Sequence, residues 1–179
     1  MSKHFFISDL HLGHENVIKY DNRPYSSVEE MDEDLIKRWN SVVGKDDIVW
    51  FLGDLALTTN KEYLSDKISR LNGHKRMVMG NHDKRKPRFY LDAGFDEVSK
   101  RPIIVLDYFV LSHEPLDYMG EDTPFFYIYG HIHNQPEYKT FTEHSACVCA
   151  CRHNYTPIEI PEFNQRLRDV EEDLKNRKQ

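Results

Sequence analysis

The 179-residue chain has room for one domain with a sizeable core, and its 39% hydrophobic and 30% charged residues are the proportions of a globular protein. A formal net charge of -6 argues against a dedicated binder of long nucleic acid, which needs clustered Lys and Arg. It leaves open a small phosphate ester, since bound cations make a pocket locally positive. No apolar run approaches the ~20 residues that span a bilayer. The strand-like start leaves no room for a signal peptide, so the expected location is cytoplasmic.

Lys3 to Ile7 reads as a buried strand. Ser27 followed by Glu30 resembles a capping box, and Met31, Leu35, Ile36, Trp39, Val42 and Val43 then recur at helical spacing up to Gly44. Asp47 to Leu52 is a second apolar run. Lys61 to Leu71 is periodic as a helix and stops at Asn72-Gly73, and Arg76 to Met79 is a third short strand. This alternation is the pattern of a parallel α/β sheet. In the second half, Ile103 to Leu106 and Tyr108 to Leu111 read as a hairpin through Asp107. Phe125 to Tyr129, Glu137 to Phe141, Ala146 to Cys151 and Thr156 to Ile160 suggest further strands. A terminal helix opens at Pro161, with Phe163, Leu167, Val170 and Leu174 on its apolar side. Two packed sheets with helices outside account for this order, in a single domain over residues 1–179. Cys147, Cys149 and Cys151 alternate and are expected on one face as free, buried thiols, without a disulfide or a thiolate metal site.

Five polar clusters stand where apolar runs end: Asp9-Leu10-His11, Gly53-Asp54, Gly80-Asn81-His82-Asp83, Ser112-His113 and Gly130-His131-Ile132-His133. They supply the oxygen and nitrogen donors that borderline divalent metals prefer. Asp9 and His11 are two apart, so in an extended chain both side chains point the same way. The glycines precede polar residues where a tight turn or close backbone approach is useful. Open α/β sheets place their sites at the carboxyl edge of the strands, where all five clusters fall. Turns rarely need histidine, so Gly-Asn-His-Asp and Gly-His-Ile-His are hard to read as ordinary turns.

As an ordered set, these clusters resemble the calcineurin-like metallophosphoesterase superfamily, in the manner of a small bacterial or phage-type phosphoesterase, from Asp9 to His133. The resemblance implies an α/β fold: a four-layer αββα sandwich of two mixed β-sheets flanked by helices, with a dinuclear metal centre at one edge. One ion would be held by Asp9, His11 and His133, the other by Asn81, His113 and His131, with Asp54 bridging. Two divalent ions are expected, manganese first, with iron, zinc or nickel accepting the same ligands. A hydroxide generated on the metal would attack the phosphorus, with His82 as general acid at the leaving oxygen. Asp83 would either orient His82 or serve as a turn aspartate. His14 lies just past the first cluster and, with Asn81 and His82, is a candidate for substrate phosphate. Many relatives carry Gly before the fourth-cluster His, where this chain has Ser112.

The expected substrate is a small phosphate ester, a phosphodiester ahead of a monoester: a cyclic nucleotide or a short oligonucleotide. Leu55-Ala56-Leu57 follows Asp54 where protein phosphatases of the superfamily continue Val-Asp-Arg-Gly. Its repair nucleases are longer, and its lipid-precursor pyrophosphatases carry a larger helical insert. The alternative is a non-catalytic scaffold of the same fold that binds a protein partner. Such relatives tend to lose site histidines, and this chain keeps them.

Overall fold

The computed structural model describes residues 2–116 and 123–176. Its elements are β1 (His4–Ile7), α1 (Glu15–Tyr20), α2 (Val28–Val42), β2 (Ile48–Phe51), α3 (Lys61–Ser69), β3 (His74–Val78), α4 (Pro87–Ala93) and β4 (Glu97–Ser99). β5 (Ile103–Val105), β6 (Phe109–Leu111), β7 (Phe126–Tyr129), β8 (Ser145–Cys147), a 3-10 turn at Ala150–His153 and α5 (Pro161–Asn176) complete the chain. Two four-stranded sheets result, in the orders β1-β2-β3-β4 and β5-β6-β7-β8.

The first sheet is parallel throughout its ladders, and an antiparallel bridge between Phe6 and Ile158 extends its β1 edge. The second is mixed, with β5 antiparallel to β6 and the other pairs parallel. Strand alternation sorts the apolar side chains into layers. Phe5, Ile7, Val49, Phe51 and Met77 face α2, α3 and α4 through Met31, Leu35, Trp39, Leu64, Ile68 and Tyr90. Their neighbours Phe6, Trp50, Leu52 and Val78 face the second sheet, meeting Phe109, Leu111, Phe126, Ile128 and Ala146. The far side of the second sheet buries Val110, Tyr127, Tyr129, Cys147 and Cys149 under Leu116, Phe125 and Tyr138.

α2 begins as expected, with Ser27 Oγ accepting from the Glu30 N–H at 3.1 Å. The Glu30 carboxylate reaches back one residue further than a capping box, to the N–H and hydroxyl of Ser26. At α5, Phe163 carries the packing, its ring 4.9 Å from Phe6 and 4.8 Å from Phe109. Leu167 and Val170 are half-buried, while Leu174 is exposed.

Three strand expectations shorten. Glu137 to Phe141 and Thr156 to Ile160 make single bridges only, Phe141 to Ala146 and Ile158 to Phe6. The Ala146 run leaves the sheet after Cys147, touches Ser8 through Cys149, and turns into the 3-10 segment closed by left-handed Asn154. Cys147 and Cys149 therefore share a buried face with sulfurs 3.4 Å apart, and Cys151, half-buried, packs against the same cluster.

Candidate metal centre

Because β1, β2 and β3 run parallel, and β6 parallel to β7, the clusters that follow them leave their sheets at one common edge. The loops are locked together by backbone bonds. Asp9 N donates to Gly53 O at 2.9 Å, His11 N to Asp54 O at 3.1 Å, and Gly130 N to His113 O at 2.9 Å. Close approach is why glycine is needed: a Cβ on Gly80 would collide with Asp54, and one on Gly130 with Ser8 and Asp9. Asp9, His11, Asp54, His131 and His133 all take positive φ, between 44° and 72°. Non-glycine residues in that region cost of order 1–3 kcal/mol each and gather at functional sites.

Two donor groups converge, Asp9-His11-His133 and Asp54-His113-His131. In the first, His11 Nε2 and His133 Nε2 face each other at 3.3 Å, and His133 Nε2 is 3.4 Å from Asp9 Oδ1. In the second, His113 Nε2 is 3.4 Å from Asp54 Oδ2 and 3.2 Å from His131 Nδ1. Asn81 Oδ1 joins them, 2.9 Å from His113 Nε2 and 3.1 Å from His131 Nδ1. Donors each ~2.0–2.1 Å from a shared ion stand about 3.0–3.4 Å apart, so these spacings fit a cation at each centre.

Both buried carboxylates divide their oxygens between two tasks. Asp9 Oδ2 accepts from the Ser8 hydroxyl and from His131 N, while Oδ1 is buried and makes no hydrogen bond. Asp54 Oδ1 accepts from His82 N at 2.8 Å, leaving Oδ2 to face His11, His82 and His113. An orphaned buried carboxylate oxygen beside two imidazoles is an arrangement that a cation satisfies.

The protonation states agree. Burial pushes the Asp9 and Asp54 carboxyls up, but contact with His133 and His113 respectively outweighs it and holds both below the usual range. Burial lowers His11 to about 4, leaving it neutral with a free lone pair. Burial also pulls His113 and His133 down, yet Asp54 and Asp9 raise His113 to about 9, and Asp21 and Asp9 raise His133 to about 10.

Every metal-ligand candidate named from the sequence lies at this edge. His82 stands outside both donor groups, with its half-exposed ring 5.7 Å from that of His11. His14 Nδ1 is buried without a hydrogen-bond partner, and its ring is 5.8 Å from His11. A cavity of ≈ 950 Å³ opens over the first group, lined by His11, His14, Tyr20, Asp21, His82 and His133 among others. Asp83 does not orient His82. Its carboxylate is buried and clamps the loops, with Oδ2 accepting from Asp54 N (2.7 Å) and Gly80 N (2.8 Å) and Oδ1 from Leu55 N (3.2 Å). Burial outweighs those bonds and raises the group to about 6. Ser112, in the place where many relatives have Gly, closes a turn by donating to Glu114 O.

The family model for calcineurin-like phosphoesterases matches residues 3–172. The chain belongs to the calcineurin-like phosphoesterase family. Both His/Asp groups fall within the matched residues, where they could hold metal ions. The chain is 51% identical over 90 residues to an uncharacterised protein of Methanocaldococcus jannaschii, covering 50% of this chain and 51% of that one. It is 45% identical over 89 residues to the gene 66 protein of Mycobacterium phage L5, covering 49% and 42%. It thus spans about half or less of the length of these two relatives. The solved structure of a protein of unknown function from Aquifex aeolicus superposes with a TM-score of 0.70 at 26% identity, covering 92% of this chain and 99% of that one. No helix among the described residues is long and apolar enough to cross a membrane.

Three polar residues outside the clusters also brace this edge. Asp21 and Arg23 lie behind the first donor group. Arg152 donates from Nε to His133 O and from the guanidinium to Gln135 O and Tyr138 O. Asp21 caps the short α1, Arg23 follows it and Arg152 sits in the 3-10 turn, segments too short for a repeating pattern to mark them.

Proposed function

We propose that each donor group takes one divalent cation, that Asp54 is shared between them, and that the chain hydrolyses a small phosphodiester such as a cyclic nucleotide or a short oligonucleotide in the cytoplasm. The observation that carries this reading is the position of Asp54 Oδ2, 3.8 Å from His11 Nε2 and 3.4 Å from His113 Nε2. Asp9, His11 and His133 complete the first set, and Asn81, His113 and His131 the second. Manganese is the ion proposed first. Divalent cations, when bound, offset phosphate charge and lower the pKa of water from about 15.7 to about 7.

The remaining work falls to the chain's own residues. His82 faces the cavity with Nε2 3.9 Å from Asp54 Oδ2, where it can give a proton to the leaving oxygen. His14 presents an unpartnered ring nitrogen toward the same space, suited to a phosphoryl oxygen. The ≈ 950 Å³ cavity has room for substituents on both ester oxygens, which favours a diester. A scaffold would have no use for a half-exposed histidine beside the buried Asp54 carboxylate.

Hydrolysis of bis-p-nitrophenyl phosphate and p-nitrophenyl phosphate with Mn²⁺ tests this reading. The diester is expected to turn over faster. His82→Ala should lower kcat by about 10²–10⁴-fold while keeping its metal. Asp54→Asn should lose both metal and turnover. No turnover of either ester by metal-loaded protein would leave the scaffold.

A further inference from the structure

We propose that Asp21 and Arg23 form a relay that aims His133 and fixes the Asp9-Leu10-His11 turn, acting as positioning residues for the first metal group. The inference rests on the metal reading above.

Asp21 caps the C-terminus of α1, and its Oδ2 accepts from His133 Nδ1 at 2.6 Å, across 112 positions of sequence. That bond places the imidazole proton on Nδ1. Nε2, the nitrogen left to exchange its proton for a cation, then faces the group, 3.4 Å from Asp9 Oδ1 and 3.3 Å from His11 Nε2. A carboxylate behind a ligating histidine fixes its tautomer and raises its basicity.

Arg23 ties that carboxylate to the other two ligands. Its side chain is fully buried, and Nε and one terminal nitrogen reach Asp21 Oδ2 at 3.3 and 3.2 Å. The same guanidinium donates to Leu10 O at 2.8 Å and Asp9 O at 2.9 Å. Those carbonyls belong to the turn in which Asp9 (φ 58°) and His11 (φ 52°) hold left-handed backbone. One planar fork therefore sets the distance between the strand exit carrying Asp9 and His11 and the loop carrying His133. Lysine has neither the planarity nor the number of donors for this.

Calorimetric titration of the full chain with Mn²⁺ separates this role from a merely structural one. In a His131→Ala background, which disables the second group, Asp21→Ala is expected to lower affinity 10–100-fold. Asp21→Asn keeps an acceptor oxygen for Nδ1–H without the charge, so its loss should be smaller. Arg23→Lys should lose affinity as well. In a His11→Ala background, which reads the second group, the Asp21 variants should bind as their parent does. Affinity of Asp21→Ala within about twofold of its parent at the first group, or an equal loss at both groups, would overturn the relay. Failure of the unsubstituted chain to take up Mn²⁺ at all would remove the metal reading, and the relay with it.

Discussion

Asp83 offers a perturbation whose size can be worked from the structure. Its carboxylate takes three backbone N–H groups, from Asp54, Gly80 and Leu55, in a buried setting. Asp83→Ala would leave those donors unpaired, at about 1–3 kcal/mol each. Relief of the carboxylate's own burial offsets part of that, as its raised pKa indicates. The net cost should be about 3–5 kcal/mol, a large share of the 5–15 kcal/mol that holds an ordinary domain together. For a chain of this size that is a fall in Tm of roughly 6–20 °C. Asp83→Asn can keep its carbonyl oxygen on Asp54 N and Gly80 N and sacrifice the longest bond, to Leu55 N. Its cost should be about 1–2 kcal/mol. Urea unfolding of the metal-free proteins would measure both, with unchanged m-values confirming that only stability moved. Freed from Asp83, the Gly53-Asp54 turn should also lose metal affinity in step with the two substitutions. An Asp83→Ala protein as stable as the parent, or one less stable than Asp83→Asn by no measurable margin, would refute the clamp.

Chelation should abolish activity and lower Tm. A metal at 100 times its Kd stabilises by about 2.7 kcal/mol, or roughly 5–11 °C here. Unchanged activity after exhaustive chelation would contradict the mechanism. His113 and His133, raised to about 9 and 10, should each give up a proton on metal binding near neutral pH. Calorimetry in buffers of different ionisation enthalpy should count roughly two protons. The same shifts set the metal-free stability: both folded-state values exceed the ordinary ~6.5. Their contribution is complete below ~6.5 and fades as pH rises through 9 to 10, so the metal-free Tm should fall over that window. A flat profile would exclude those pairings. Gly130→Ala, whose Cβ would push on Ser8 and Asp9, should cost about 1–3 kcal/mol and weaken metal uptake, read by Tm and titration.

The donor set was legible in the sequence because its signal is local. Apolar strand, glycine and histidine or aspartate stand next to one another in the chain, and parallel strands bring their exits together without further information. The supports were not legible. Arg23 and Arg152 look like ordinary loop arginines until the fold sets carbonyls around them. Asp83 sits beside His82 in sequence but turns its oxygens to the backbone of Asp54 and Leu55. α1 is 6 residues long with Val17 alone buried, too short to show periodicity. Glu137 to Phe141 has the composition of a strand but pairs only through Phe141, because neighbouring segments, not propensity, decide whether a ladder extends.

Anomalous diffraction from crystals grown with Mn²⁺ tests the central claim most directly. Two peaks are expected, one among Asp9, His11 and His133 and one among Asn81, His113 and His131, with Asp54 Oδ2 between them. A single peak under metal-rich conditions, or none, would contradict it.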